Sequence, residues 1–294
     1  MSMTSTKTPT TKAGAREALW ATMALLLALW VGKHVAAVGG DVAPVIFTAI
    51  AAMQLYVPLW LIQRAGELPE SHQIHMHGSL LAPLAVLRRA LVAKRRRQGR
   101  AGWLPLLSAT TAKGALRLVR RRRRTTMDLL ANYARGAVWR PGALARDLGA
   151  VVVVSLIVFP LFAAAFHWWM GMTGHQQRGF RVPADLLTYW AQNTLLIALP
   201  EELFYRGFLE TRLERWWPTK RTVLGLPLGR TVFLASALFA LGHFLGEYNP
   251  ARLGPFFPAF LFSALTRRSS SITGAIIFHG FCNTFSHLLA ASYG

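Results

Sequence analysis

Six residues in the second half of the chain have the types and spacings that hydrolysis needs, in stretches where charge is costly. Glu201 and Glu202 are adjacent, directly after the apolar run Thr194 to Leu199, and Arg206 follows Glu202 by four positions in PEELFYRGFLE. His243 closes the stretch FALGH, while His279 and Asn283 stand four apart in HGFCN. A carboxylate can take a proton from water, an imidazole can donate or accept one, and a carboxamide can donate to a developing oxyanion. On a helix Glu202 and Arg206 have the ion-pairing offset, His279 and Asn283 share a face, and Glu201 is turned about 100° from Glu202. Glu202 is therefore expected to be neutralised by Arg206, which leaves Glu201 for chemistry. The bland alternative is interhelical hydrogen bonding, a common role of His and Asn between membrane helices. A Glu pair in an apolar run, combined with four further polar groups, favours catalysis.

Apolar windows of about 20 residues, the length that crosses roughly 30 Å of hydrocarbon, supply the elements that must position these groups. Seven are read: Ala18 to Val38, Val42 to Ile62, Leu148 to Met170, Asp185 to about Phe208, Thr231 to Gly246, Arg252 to Leu265, and Ile272 to Ala291. The fifth and sixth are short. The fold class expected is all-α, a polytopic transmembrane helix bundle of about seven spans with a basic cytoplasmic loop. Counting about 1.5 Å per residue from the cytoplasmic ends brings Glu202, His279 and His243 to depths at which they can share one cavity.

The composition of 294 residues, 53% of them apolar, suits either a large soluble enzyme or a membrane protein, and the recurring windows decide for the membrane. A formal net charge of +21 suggests nucleic acid until its distribution is considered. Seventeen of the 33 basic residues fall between Arg88 and Arg146, in clusters such as RRALVAKRRRQGR and RLVRRRRR, with Asp128 and Asp147 the acids of that region. Basic loops stay on the cytoplasmic face, so this segment is expected inside. Lys7, Lys12 and Arg16, then Arg212, Arg215, Lys220, Arg221 and Arg230, then Arg267 and Arg268 fall on the same side. That alternation places the amino terminus inside and the carboxyl terminus outside. Leucines and valines interleaved with the arginines suit a helix lying on anionic lipid, and no nucleic-acid role is expected.

The first apolar run is longer than the core of a cleaved signal peptide. The lone Cys282 allows no intrachain disulfide, and a small apolar role suits it better than that of a thiol nucleophile beside His279. His72, His75 and His77 in SHQIHMHG have no second ligand cluster to make a metal site, and no HExxH occurs.

Taken in order, EELFYR (Glu201 to Arg206), FALGH (Phe239 to His243) and HGFCN (His279 to Asn283) resemble the CPBP family, which joins type II CAAX prenyl endopeptidases with bacteriocin-processing Abi proteins. The resemblance covers about Leu148 to Gly294. It implies an integral protein of a bacterial cytoplasmic membrane and an intramembrane glutamate-type endopeptidase. By that resemblance Glu201, assisted by His243, activates water; His279 and Asn283 hold the oxyanion; Glu202 and Arg206 support the site; and Phe239 packs a turn before His243. It implies no metal and no cofactor, and a membrane-anchored or lipidated protein or peptide as substrate. Three regions are expected: a transmembrane hairpin over 1–70, the basic membrane-associated segment over 71–147, and the catalytic bundle over 148–294. The competing functions are a nonproteolytic membrane scaffold or immunity protein of the same family, and a metal-dependent membrane protease.

Overall fold

The computed structural model describes residues 11–38, 42–67, 69–74, 141–220, 222–223 and 225–293. Among these are seven helical runs and no strand: α1 (Thr11–Val38), α2 (Ala43–Arg64), α3 (Pro141–Met172), α4 (186–216), α5 (Arg230–Glu247), α6 (Phe256–Ser269) and α7 (Thr273–Ala290). Short 3₁₀ turns at Pro69–His72 and Pro250–Leu253 lead out of α2 and into α6. Most of the arginine-rich segment, together with His75 and His77, lies outside the described residues.

Each expected span has its helix, with altered bounds. The described part of α3 runs from Pro141, ahead of Leu148, and so carries Arg146 and Asp147. α6 begins at Phe256 because Asn249 and Pro250 build a separate 3₁₀ turn, with the Asn249 side chain accepting from the Ala251 N–H. α4 runs past Phe208 to Trp216, so Arg212 and Arg215 sit on a helix and not in a loop. By length and composition three stretches can cross a membrane: Lys12–Ala37, Ala43–Arg64 and Pro141–Met172. They are apolar on nearly every side and leave Trp20, Leu27, Leu156 and Leu161 exposed, as a lipid-facing surface would.

α4 is the hub. It packs against α1, α2, α5, α6 and α7, whereas the main described contacts of α3 are with α6 and α7. The residues from Glu202 to Glu210 are all buried. Gly207 permits one of these approaches, because a Cβ there would lie 2.6 Å from the Ile74 side chain in the segment after α2.

Countercharge explains why α4 keeps its basic residues inside. Arg212, 2% exposed, places Nη2 3.0 Å from Glu67 and Nε 3.1 Å from His72 Nε2, with Glu17 of α1 at 3.9 Å. Arg215 also pairs with Glu67 and donates to the Ser71 carbonyl. These contacts fasten α1, α2 and the 69–72 turn to the end of α4. On the opposite side Arg267 of α6 bridges Glu210 at 2.7 Å and Glu214 at 3.2 Å, and the Ser263 hydroxyl donates to Glu210.

Candidate active site

α4 is not a plain α-helix where it carries the carboxylates. The four-residue α segment Leu199–Glu202 is flanked by π-helical segments, Asn193–Ala198 and Leu203–Glu210. Pro200 accounts for the first. It has no N–H for the carbonyl four residues back and its ring crowds that carbonyl, so the helix widens ahead of it, and the Leu199 N–H reaches back five residues to the Thr194 carbonyl. Single π turns of this kind recur at functional sites because they re-aim side chains without ending the helix.

The two glutamates have different surroundings. Glu202, fully buried, accepts from His279 Nδ1 at 2.9 Å on one oxygen and faces Arg206 Nε at 3.3 Å with the other. Glu201 is 16% exposed. Its Oε2 is buried, lies 3.7 Å from His279 Nε2, and accepts no hydrogen bond from the described residues. His279 therefore stands between both carboxylates, with one ring nitrogen toward each.

Arg206 is held by more than Glu202. Its Nη2 donates to the Ala259 carbonyl at 3.1 Å, and its guanidinium lies 4.6 Å from the Phe239 ring, 5.1 Å from Phe262 and 5.9 Å from Tyr205. Three aromatic faces around a desolvated cation offset part of its burial cost. Phe239 also meets the His243 ring at 4.6 Å and the His279 ring at 5.8 Å, and Phe262 stacks flat on His279 at 4.6 Å. The aromatic cluster thus sets the ring planes of both histidines.

His243 sits in the second turn of α5 counted from its C-terminal end and is half-buried. Its Nδ1 is 3.0 Å from the Phe239 carbonyl, which can only accept, so Nδ1 carries a proton and in the neutral ring the lone pair is on Nε2. Asn283 is one turn along α7 from His279, and its Nδ2 donates to Asn193 Oδ1 at 3.5 Å. Glu201, Glu202, Arg206 and His279 are in direct contact range; His243 joins them through Phe239, and Asn283 joins through α7.

Cys282 packs against the apolar core and has no hydrogen bond to His279. Among the described residues no group of three or more His, Cys, Asp or Glu side chains is arranged to hold a metal ion. His72 is occupied with Glu67 and Arg212.

Four participants escape the sequence reading. Asn193 and Thr194 left a signal, a polar pair opening an apolar run. Tyr205 and Phe262 left none, because nothing distinguishes these rings from the other aromatics until the helices pack.

Residues 183–285 match the family model described as type II CAAX prenyl endopeptidase Rce1-like. All six motif residues fall inside that stretch. No curated protein and no solved structure matches the chain.

Proposed function

We propose that this chain, whose residues 183–285 match the type II CAAX prenyl endopeptidase Rce1-like family model, is an intramembrane endopeptidase that cleaves a membrane-tethered substrate with water activated by Glu201. The observation that carries this reading is the Glu201 carboxylate, a mostly buried acceptor with one oxygen unclaimed by any described residue. An unclaimed buried acceptor is expensive unless a reaction uses it.

The roles follow from which atoms are already engaged. A water between Glu201 and His243 Nε2 has two acceptors for its protons. Glu201 takes one as the water oxygen attacks the scissile carbonyl carbon. The carbonyl oxygen becomes an oxyanion, and Asn283 Nδ2–H and His279 Nε2–H donate to it. Donating from Nε2 while Nδ1–H is held by Glu202 requires the imidazolium form of His279 in this step. Collapse of the tetrahedral intermediate breaks the C–N bond, and Glu201 returns its proton to the leaving nitrogen. Glu202 and Arg206 support this by fixing His279 and neutralising each other. Lipid contact by the arginine-rich segment would keep the chain against an anionic membrane where an anchored substrate resides.

The test is cleavage of a farnesylated peptide ending in a CAAX sequence by the full chain reconstituted in anionic vesicles, read by mass spectrometry. Glu201→Gln keeps size and removes the base, so turnover should fall by about 100-fold or more. Chelator should leave activity intact. Loss with chelator and recovery with zinc would establish a metal-dependent protease instead, and full biological function in Glu201→Gln would establish a scaffold.

A further inference from the structure

The first π segment of α4 does more than widen the helix. It turns Asn193 and Thr194 toward α7 at the level of Gly280, the residue after His279. α4 and α7 approach so closely there that a Cβ on Gly280 would collide with Thr194 Oγ1. In that contact Asn193, 8% exposed, donates from Nδ2 to the Tyr189 carbonyl at 3.0 Å and accepts on Oδ1 from Asn283 Nδ2 at 3.5 Å.

The order of these two bonds removes an ambiguity. A carboxamide can normally turn over, exchanging its oxygen and nitrogen at small cost. Asn193 cannot, because turning over would set its oxygen against the Tyr189 carbonyl, two acceptors face to face. Its oxygen must therefore point at Asn283. Asn283 then cannot turn over either, since that would oppose its own oxygen to Asn193 Oδ1. One backbone carbonyl thus determines the orientation of two amides in sequence, and the second N–H of Asn283 remains as a donor beside His279.

We infer that Asn193 is a positioning residue for the hydrolytic reaction, orienting the Asn283 carboxamide so that it presents N–H, and not C=O, to the oxyanion; this rests on the endopeptidase reading above. A misturned Asn283 would place an acceptor against the developing negative charge, which is worse than having no group there. The role is therefore confined to the transition state, and ground-state substrate binding does not depend on it.

The experiment is a double-mutant cycle on the full chain in vesicles, with the farnesylated CAAX peptide as probe. Asn193→Ala and Asn193→Ser, the latter polar but too short to reach Asn283, should each lower kcat by roughly tenfold and leave KM within about twofold. In an Asn283→Ala background the same substitutions should cost less than about twofold further, because the group they act through is gone. Thermal unfolding midpoints of the Asn193 variants should stay near the parent's. Losses that multiply in the double variant, or that appear in KM or in the folded fraction, would overturn the positioning role while leaving the endopeptidase reading intact. A wild-type chain that does not cleave the peptide would remove that reading, and the role of Asn193 with it.

Discussion

Replacing each glutamate of the pair by glutamine should separate stability from catalysis. Glu202 is fully buried, its oxygens 2.9 Å from His279 Nδ1 and 3.3 Å from Arg206 Nε. Glu202→Gln leaves Arg206, 1% exposed, without its countercharge. Breaking a buried pair from one side costs about 3–5 kcal/mol. The Ala259 carbonyl and three aromatic rings still face the guanidinium, so the lower end of that range, about 3 kcal/mol, is expected. At 2–4 °C per kcal/mol for a chain of this size, the unfolding midpoint should drop by roughly 6–12 °C. Glu201 is the more exposed of the two and its Oε2 has no hydrogen-bond partner among the described residues, so Glu201→Gln should shift the midpoint by less than about 2–4 °C. Its turnover should nevertheless be lower by about 100-fold or more. The assay is a paired thermal melt and peptide cleavage on the two variants purified side by side. Equal destabilisation by both substitutions would refute the division of labour, as would a Glu202→Gln protein that melts with the wild type.

Two further outcomes are expected. Burial pushes the Glu214 carboxyl up, but hydrogen bonds from Thr231 and Thr219 and the Arg267 charge outweigh burial and hold it below the usual carboxylate range. Its contribution to stability is thus complete above the unfolded carboxyl value of about 4.3 and is lost as pH falls through the lower folded value. Melting curves between pH 3 and pH 6, roughly that window, should accordingly show a shallower acid-side decline in Glu214→Gln than in the parent. For the topology, reporters fused at Gly99 and at the carboxyl terminus should report opposite sides of the membrane; signals from the same side would refute a chain that crosses seven times.

The polar positions of the site were legible because an ionisable residue in an apolar run is conspicuous, whatever the helix geometry around it. The geometry itself was not. Angles for Glu201, Glu202 and Arg206 reckoned on α periodicity ignore the π segments on either side, although Pro200 announces the first by lacking an N–H. Arg212 reads as loop charge because its partners, Glu17 and Glu67, lie on other helices far away in sequence, and only packing brings them to a buried guanidinium. Phe262 illustrates the limit most plainly. It is one of 17 phenylalanines, and its place flat against His279 depends on how α6 meets α7.

The central place of α4 has a consequence for biogenesis. α1, α2 and α3 hold stretches apolar enough to partition into a bilayer one at a time. α4 brings Glu201, Glu202 and Arg206, and three charges near a helix centre cost roughly 8–10 kcal/mol on an insertion scale. A lone α4 facing lipid would recover only the part that its internal Glu202–Arg206 pair supplies. Its partners arrive later in synthesis: Phe239 on α5, Ala259 and Phe262 on α6, His279 on α7. If α4 crosses the bilayer, the nascent chain would gain from sheltering it, in the translocation machinery or at the water interface, until α7 has been made. A chain stopped after α6 lacks the imidazole that faces both carboxylates, so a truncation between Ser269 and Thr273 should leave α4 as a substrate for membrane quality-control proteases.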